Sequence, residues 1–307
     1  MQKITSVQAS VNPCLVCGGN LHPSPIKGLL QCNSCDFITA NIDIGDDELA
    51  KLYGKDYFHG EEYLNYNEES ESLRVNFRRR ISDIIKLYPS INEADLFEIG
   101  CAYGYFLKEV APMVKTARGI DVSSDAVAEA VNYQKVNAVH GDYLTYDIDR
   151  PVDIITMWDT IEHLRRPDLF IQKAYNDLKS NGILAITTGD ISALNARLRG
   201  GAWRMIHPPT HLHYFSVKTL TMLLQENGFQ VEYVSHPGNA RTLRSVLYFI
   251  TVIKSNNPKL YKLMSPWSLF DLSLTVNLFD IMFVVARKIG TADQGGKSLG
   301  MARHAMP

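Results

Sequence analysis

The feature that most constrains this chain is a short apolar strand that runs directly into a glycine turn. It spans Asp95–Leu107, which reads DLFEIGCAYGYFL, so the strand reaches Glu98 before a turn that contains Gly100 and Gly104. Such a turn lets the backbone approach a nucleoside cofactor closely at the carboxyl end of a parallel strand. About twenty residues later a second apolar stretch ends at Asp121, whose carboxylate is placed to accept hydrogen bonds from ribose hydroxyls.

Apolar strands alternate with helical patterns beyond this turn, which predicts an α/β fold with a parallel sheet and right-handed crossovers. Helices are expected from Ser123 to about Tyr133, over 168–179 up to the Asn181-Gly182 pair, and over 217–227 behind a cap at Ser216. A further helix is expected over 69–87. The predicted strands are 95–99, 117–121, 138–140, 153–158, 183–188, 229–235 and 278–287.

Length and charge restrict the class of protein. The 307 residues allow one large α/β domain with an appendage. A formal net charge of −2 provides no broad basic field, which argues against a general nucleic-acid binder. The amino terminus has no apolar core of the signal-peptide type, and the longest apolar stretches are too short to span a membrane. A cytoplasmic location is therefore expected.

Four of the five cysteines form two C-x2-C pairs near the amino terminus, at Cys14, Cys17, Cys32 and Cys35. In a reducing cytosol this pattern predicts a structural Zn²⁺ site, because two-residue spacing lets both thiolates of a pair reach one tetrahedral ion. Four thiolates also close the metal's coordination shell to substrate. A set of thiols without metal is the alternative. Cys101, in the glycine turn, is expected to pack there as a small residue, with a reactive thiol as the alternative.

The chain is predicted to divide into four parts. They are a zinc-binding module over 1–45, a helical lid or linker over 46–92, the main domain over 93–290 and a disordered tail over 291–307. The main domain carries a helical insertion over about 240–275, before its last strand. Tyr53, Tyr57 and Phe58 are expected to cover the cofactor as a lid, although packing of the cysteine module explains them nearly as well.

Five blocks, in order, make the chain resemble the class I S-adenosylmethionine-dependent methyltransferases, in the branch of small-molecule and sugar methyltransferases. The resemblance implies a seven-stranded Rossmann-like sheet with an antiparallel last strand, joined here to an N-terminal zinc ribbon. One departure is that Cys101 or Ala102 stands where a third glycine is usual; a small residue there still admits the cofactor. A nicotinamide dehydrogenase is disfavoured, because the glycine spacing is G-x-x-x-G. The five blocks are Glu98–Gly104, Asp121, His140–Tyr143, Trp158–Leu164 and His211–Ser216.

The resemblance also implies S-adenosylmethionine as the cofactor and suggests which residues contact it. Gly100 and Gly104 admit the methionine part, and Glu98 holds its ammonium group directly or through water. Asp121 takes the ribose hydroxyls. The remaining candidates are Asp142 for the adenine amino group, Tyr143 flanking the adenine ring, and Cys101, Tyr103, Val122, Trp158 and Asp159 nearby.

Two groups of residues are candidates for the chemistry on the acceptor. The first group, which follows the fourth strand, has three interpretations. His163 acts as the general base, or Asp159, Glu162 and His163 together hold a divalent ion. In the third, Glu162 and His163 only organise their loop. The metal alternative rests on similarity to the E-x-x-E-H cluster of ubiquinone-pathway O-methyltransferases. The second group follows the fifth strand, and there His211 or His213 contacts the acceptor or acts as base, unless both are structural. The second group comprises His207, His211, His213 and Tyr214.

The function expected from this resemblance is transfer of a methyl group to a small-molecule acceptor. A nucleotide-linked sugar or another glycan or natural-product precursor is favoured, methylated on oxygen or carbon. The alternatives are an RNA methyltransferase that grips its substrate with the zinc ribbon, and a non-catalytic zinc scaffold with a relict fold. The insertion over 243–274 lines the acceptor pocket, forms a homodimer face or touches a membrane surface, in that order of preference.

Overall fold

The structure is a computed structural model that describes residues 13–45, 48, 70–255 and 257–290. Three features named from the sequence lie outside these residues. They are the tail over 291–307, the start of the helical lid apart from residue 48, and the aromatic lid of Tyr53, Tyr57 and Phe58.

Strands and helices alternate through the main domain, as the sequence predicts. The strands are β1 (Leu21–Pro23), β2 (Leu29–Cys32), β3 (Ile38–Ala40), β4 (Asp95–Ile99), β5 (Thr116–Asp121), β6 (Asn137–His140), β7 (Val152–Trp158), β8 (Leu178–Gly189), β9 (His213–Tyr214), β10 (Phe229–Ser235), β11 (Asn239–Thr242), β12 (Ser273–Val276) and β13 (Ile281–Lys288). The α-helices are α1 (Ser70–Leu87), α2 (Tyr105–Val110), α3 (Ser124–Glu129), α4 (Pro167–Asp177), α5 (Leu194–Arg199), α6 (Val217–Glu226), α7 (Leu243–Tyr248) and α8 (Pro258–Met264).

Seven strands form the central sheet in the order β10-β13-β8-β7-β4-β5-β6. The pairs β7–β8, β4–β7, β4–β5 and β5–β6 are parallel, and β13 is antiparallel to both of its neighbours. The predicted seven-stranded sheet with an antiparallel last strand is confirmed. Its strand order reverses between β4 and β7, so a crevice opens at the carboxyl ends of these two strands.

Helices cover both faces of this sheet, and the alternation along β4 shows how. Leu96 and Phe97 are both fully buried but belong to different apolar clusters, since successive side chains of a strand point to opposite faces. The Leu96 side is covered by α1 and α2 through Phe77 and Phe106, whereas α4 and α6 cover the other side. Glu98 stands two residues after Leu96 and therefore faces the α1 side.

Local sequence explains where two of the helices begin. The Ser123 side chain accepts a hydrogen bond from the Ala126 amide at 3.3 Å at the start of α3. Before α6, the Ser216 hydroxyl accepts from the Thr219 amide at 3.2 Å, while the Ser216 amide donates to the Thr219 hydroxyl at 2.9 Å. Both are caps of the kind that the sequence predicts.

The boundary between α4 and β8 differs from the prediction. We expected the helix to continue to residue 179 and to end at the Asn181-Gly182 pair, but α4 ends at Asp177 and both residues of the pair lie inside β8. The register between β7 and β8 shifts at this point, and Asn181 takes a positive φ of 64°. The pair therefore forms an irregularity within a strand, a second use of such residues that sequence alone does not distinguish from a helix end.

The cysteine module forms a separate four-stranded antiparallel sheet in the order β1-β2-β3-β9. Its fourth strand comes from the main domain, because Ile38 pairs with Tyr214 and Thr39 pairs with His213. The amide of Ala40 also donates to the Leu212 carbonyl at 2.8 Å. The amino-terminal module is thus joined to the main domain by backbone hydrogen bonds, which the sequence did not indicate.

The insertion before β13 is only partly helical. The prediction of apolar helical segments holds for α7, α8 and a π-helical turn at Phe249–Lys254. The insertion also contains an antiparallel hairpin, in which β11 pairs with β12 from Asn239↔Val276 to Thr242↔Ser273. Among the described helices, none is both long enough and apolar enough to cross a membrane.

Candidate functional site

The glycine turn after β4 is shaped by its backbone conformation. Gly100 and Gly104 have a φ of 75°, and Ala102 has a φ of 44°, a region that side chains rarely adopt. A Cβ added to Gly100 would lie 2.6 Å from the Thr160 hydroxyl oxygen, so the residue is also required for close approach. Cys101 is buried and would be 2.7 Å from a Cβ at Gly119, which fits the expected packing role for this thiol.

Asp121 ties the glycine turn to the end of β5. One of its carboxylate oxygens accepts from the Ala102 amide at 2.8 Å, and the other accepts from the Ser123 amide at 2.9 Å. Burial raises the pKa of Asp121, and these backbone bonds act in the opposite direction. The carboxylate is therefore held at the carboxyl end of its strand, next to the glycine turn, where the sequence placed a ribose-binding acid.

Glu98 is the most unusual residue of this edge. It is 2% exposed, and its Oε2 atom has no hydrogen-bond partner within the described part of the protein. Burial, and secondly the charge of Asp121, raise the pKa of Glu98 well above its ordinary value. A buried, unpartnered carboxyl oxygen costs free energy, of the order of 1–3 kcal/mol. Such an atom is explained if a cationic or donor group of a ligand completes the site.

The end of β7 adds an aromatic and a charged group to this edge. Trp158 is buried, and its indole Nε1 lacks a partner among the described residues. The Asp159 carboxylate accepts from the Thr187 hydroxyl at 3.0 Å. Arg80, from α1, lies 5.1 Å from the centre of the Trp158 ring and 3.6 Å from the Asp159 carboxylate. We name the group formed by the glycine turn with Glu98, Asp121 and Trp158 the donor edge.

The residues at the end of β6 and just after it lie partly on the surface and partly in the core. Asp142 and Val122 are exposed, and His140 Nε2 lies 3.1 Å from the Val122 carbonyl oxygen. Tyr143, which we expected to flank an adenine ring, is instead buried, and its hydroxyl donates to Asp177 at 2.7 Å. The Tyr143 ring packs in the apolar core, whereas Asp142 is exposed. The adenine contact expected of Tyr143 stays a prediction.

Three of the candidate acceptor-side residues meet in space, but not in the combination that the sequence suggested. Glu162, His163 and His211 each bring one potential ligand atom to within 4.8 Å of the others. The His163 and His211 rings are 4.5 Å apart and nearly perpendicular. Asp159 is not part of this group, because its carboxylate is held by Thr187. Asp159 therefore lies apart from Glu162 and His163, and His211 is the third residue of the group.

Backbone carbonyls fix the orientation of these histidines. His163 Nδ1 lies 2.9 Å from the Thr210 carbonyl, and His211 Nδ1 lies 2.8 Å from the Met205 carbonyl. Both Nδ1 atoms therefore donate, and in the neutral rings the lone pair is on Nε2. Burial lowers the pKa of His211 far below its ordinary value, so this ring is neutral. His163 is only partly buried, which makes it the more accessible of the two.

His213 and Tyr214 occupy a different environment, inside the joint between the two sheets. His213 is buried, with Nδ1 3.0 Å from the Thr39 hydroxyl and its ring 5.5 Å from that of Phe37. Burial lowers its pKa to about 4. The buried Tyr214 hydroxyl donates to the His211 carbonyl at 3.0 Å. These contacts support a structural role for the pair, which the sequence analysis kept as an alternative to catalysis.

The profile of a known protein family matches residues 73–234 of the chain, and that family is described as "Methyltransferase domain". The chain belongs to this methyltransferase family. The matched residues include the whole donor edge and extend through β10. The domain's sheet, with its reversal of strand order and its antiparallel strand, accords with the match.

Curated relatives of the methyltransferase domain match parts of the chain. A probable S-adenosylmethionine-dependent methyltransferase of Mycolicibacterium smegmatis is 26% identical over 140 residues, which cover 45% of this chain and 52% of that protein. A ubiquinone biosynthesis O-methyltransferase of Rickettsia felis is 26% identical over 113 residues, or 35% of this chain and 46% of that protein. The chain thus spans about half the length of the curated relatives that it matches.

A solved structure shows the same fold for the methyltransferase domain. The magnesium protoporphyrin IX methyltransferase of Synechocystis PCC 6803, solved with bound SAH, gives a TM-score of 0.53 at 12% identity. The match covers 80% of this chain and 100% of that one. At this identity the likeness shows the fold alone.

The four cysteines of the amino-terminal module lie together and have the geometry of a metal site. Cys14 Sγ lies 3.6 Å from Cys35 Sγ, and Cys17 Sγ lies 3.5 Å from Cys32 Sγ. These separations are far longer than a disulfide bond, and they suit thiolates about 2.3 Å from one central ion. The amide of Val16 also donates to Cys14 Sγ at 3.4 Å. The donor set therefore fits a tetrahedral Zn²⁺.

Two features of the methyltransferase domain were missed in the sequence. Arg80 shares the buried face of α1 with Phe77, Ile81 and Ile84, and a basic residue at apolar helical spacing is the signal that could have revealed it. The second feature is a contact between the residues that follow β8 and β10, where His236 Nε2 lies 2.9 Å from an Asp190 carboxylate oxygen. No local pattern connects its two residues.

Proposed function

We propose that the chain transfers a methyl group from S-adenosylmethionine to a small-molecule acceptor. One observation carries the proposal: the buried Glu98 carboxyl group has an unpartnered oxygen directly before the glycine turn. The relatives that are S-adenosylmethionine-dependent or O-methyltransferases by name support the reaction type. When bound, S-adenosylmethionine supplies a methyl group on a sulfonium, a good leaving group for in-line displacement.

The donor edge would bind and orient this cofactor. Glu98 accepts from the methionine ammonium group, which neutralises the buried carboxylate and gives its Oε2 a partner. Gly100 and Gly104 give the backbone close approach, and Asp121 accepts from the ribose hydroxyls. Asp142 is exposed beyond β6 and accepts from the adenine amino group. Positioning of the acceptor in line with the methyl group then supplies most of the rate.

His163 is the general base that we favour for an acceptor that must lose a proton. Its Nδ1 is held by the Thr210 carbonyl, which sets the tautomer with a basic Nε2. His163 is also less buried than His211 or His213. The geometry of Glu162, His163 and His211 is equally that of three ligands of a divalent ion, so loss of activity after metal removal would favour that second role.

We further propose that Cys14, Cys17, Cys32 and Cys35 hold a structural Zn²⁺. Burial raises the pKa of Cys14 to about 11 and also raises that of Cys35, whereas at Cys32 backbone amides and thiols outweigh burial and lower the pKa to about 7. A bound cation would favour the thiolate form of all four. Four thiolates leave no open position, so the ion would stabilise the module and take no part in methyl transfer.

A small acceptor fits the chain better than RNA. Strand β3 of the cysteine module is paired with β9 of the main domain, so this side of the module is not free to bind another chain. The formal net charge of −2 provides no extended basic surface. A nucleotide-linked sugar or another natural-product precursor, methylated on oxygen or carbon, is the acceptor class that we propose.

Calorimetric titration with S-adenosylmethionine tests the donor edge. We expect Glu98→Gln to weaken binding about 10- to 100-fold, because a charge-assisted hydrogen bond is lost. Glu93→Gln is the matched control, since Glu93 is exposed, and it should leave the affinity unchanged. A wild-type chain that binds no S-adenosylmethionine would be a relict scaffold. Transfer of labelled methyl groups into a panel of sugar nucleotides, quinols and RNA would then identify the acceptor.

A further inference from the structure

The insertion before β13 exposes many large apolar side chains close together in the chain. Leu263, on α8, is 71% exposed and Trp267, just after it, is 61% exposed. Exposed large apolar side chains concentrated in this way are typical of sites of association. We name it the insertion face and define it by Leu263, Trp267, Leu269, Leu272, Leu274 and Val276.

The hairpin of the insertion shows that one of its faces is covered and the other is not. On the covered side Ala240 is buried, its amide donates to Asn76 at 2.7 Å, and the Thr242 amide donates to Ser72 at 3.0 Å. Both partners belong to α1. On the other side, alternate residues of β12 and its flanks are exposed and apolar, because side chains of a strand alternate between faces. They are Leu272, Leu274, Val276 and Leu278.

Positive charge surrounds the insertion face. Lys259 and Lys262 are exposed on α8 next to Leu263, and the exposed Arg241 pairs across the hairpin with Leu274. Residues 239–279 contain five basic residues and one acidic residue, although the whole chain has a formal net charge of −2. The basic residues are thus concentrated where the apolar side chains are exposed. A second copy of the same face would be repelled by this charge.

We propose that the insertion face docks the protein on an anionic lipid bilayer. Leucine side chains would enter the acyl boundary, and Trp267 would lie at the level of the headgroups, where tryptophan is enriched in membrane proteins. Lys259, Lys262 and Arg241 would contact anionic headgroups. This mode of binding requires no membrane-spanning helix, and none is present among the described residues.

The topology places the insertion face near the donor edge. Ile281, the first residue of β13, pairs with Gly189, the last residue of β8, so the insertion enters the sheet at the carboxyl end of the parallel strands. The donor edge lies at the same end. If the proposed methyl transfer is correct, an amphiphilic acceptor could reach the site from the bilayer. The docking itself does not depend on that reaction.

Intrinsic fluorescence provides a direct test with the full chain and no cofactor. The chain contains three tryptophans, and Trp158 and Trp203 are buried while Trp267 is exposed. Vesicles of phosphatidylcholine and phosphatidylglycerol should shift the emission to the blue, and brominated lipid should quench it. Vesicles of phosphatidylcholine alone should bind at least tenfold more weakly, and added salt should weaken the anionic binding.

Variants assign the binding to the insertion face. Leu263→Ser combined with Trp267→Ser should reduce co-sedimentation with anionic vesicles at least tenfold. Lys259→Glu with Lys262→Glu should reduce it by a similar factor and remove the preference for anionic lipid. Leu198→Ser is the matched control, since Leu198 is a highly exposed leucine of α5, outside the insertion, and it should bind as wild type does.

Three results would overturn the proposal. The first is a Trp267 emission maximum that does not shift when vesicles are added. The second is an equal loss of binding in Leu198→Ser. The third is a Trp267 contribution, obtained as the difference between wild type and Trp267→Ser, that is already blue-shifted without lipid. The face would then be covered by the chain itself or, where sedimentation shows a dimer, by a second copy. Since each measurement omits S-adenosylmethionine, failure of the proposed methyl transfer would leave these outcomes unchanged.

Discussion

The donor edge and the histidine cluster, which comprises His163, His207, His211 and His213, differ in how their buried polar groups are held. At the donor edge, Glu98 Oε2 and Trp158 Nε1 are buried with no partner among the described residues. In the histidine cluster, ring nitrogens are held by the Met205 and Thr210 carbonyls and by the Thr39 hydroxyl. The hydrogen bonds at the histidines contribute to stability, whereas each unpartnered buried atom, His213 Nε2 included, costs free energy.

This difference distinguishes a region suited to ligand binding from one suited to a structural role. Unpartnered buried atoms persist in native proteins where a ligand or another function compensates for them, so the donor edge has the character of a binding site. His211 and His213, whose Nδ1 atoms are held by hydrogen bonds and whose pKa values are strongly lowered by burial, have the character of structural residues. The half-buried His163 differs from these two, because it combines a fixed tautomer with access.

The largest expected effect comes from the cysteine module, which contacts His213 of the histidine cluster through Thr39 and Phe37. Cys35→Ser should abolish binding of about one zinc ion per chain and destabilise the module by about 4 kcal/mol or more. Hydrogen exchange should increase in β3 and β9, which pair with each other, while residues 95–121 keep their protection. Mass spectrometry of peptides measures both.

Ser34→Ala is the control for this variant, because Ser34 is exposed in the same loop and should retain zinc. Equal loss of protection in residues 95–121 would show that the cysteine module and the donor edge unfold as one cooperative unit. The two regions would then not differ in stability.

The second prediction concerns the pH dependence of the apo protein. The pKa of Glu98 is raised above its ordinary value of 4.5 in the folded state, so the folded protein holds this proton more tightly than the unfolded chain does. Stability should therefore fall as pH rises from about that value through the raised pKa, by ~1 kcal/mol or more. Glu98→Gln should lack this component in urea unfolding at a series of pH values.

S-adenosylmethionine should reverse the trend, since its ammonium group favours the ionised carboxylate and binding should tighten as pH rises. Wild-type and Glu98→Gln stabilities with the same pH slope would contradict the assignment of the raised pKa to Glu98. Asp121, whose pKa is also raised by burial, contributes with the same sign in both proteins.

The strand ends and the glycine turn of the donor edge could be predicted from sequence because their determinants are local. Gly100 and Gly104 are required by turn geometry, and Asp121 ends a strand of recognisable pattern. The pairing of Thr39 with His213 could not be predicted in this way, since 174 residues separate them. Arg80 reaches Asp159 only because α1 packs on the sheet. Where contacts are set by packing between distant segments, residue spacing carries little information.

A third prediction contrasts two histidines of the cluster. His213→Ala should cost about 2 kcal/mol, because it opens a cavity beside Phe37 and removes the partner of Thr39. His163→Ala should cost less than ~1 kcal/mol in stability and yet reduce methyl transfer to whichever acceptor the labelled-cofactor panel identifies. Urea unfolding and single-turnover transfer measure the two effects. A stable His213→Ala protein with lost turnover would instead assign the base to His213.

The smallest effect should come from a single hydroxyl at the joint between the two sheets. The Thr39 hydroxyl lies 3.0 Å from His213 Nδ1 and donates to the Leu212 carbonyl at 3.1 Å. Thr39→Val should therefore lose about 1 kcal/mol, while Thr39→Ser, which keeps the hydroxyl, should lose less. Urea unfolding of the two variants gives the difference. Affinity for S-adenosylmethionine should be the same in both, because the joint and the donor edge share none of these contacts. A weaker affinity in Thr39→Val would mean that a change of packing at the histidine cluster alters the cofactor site.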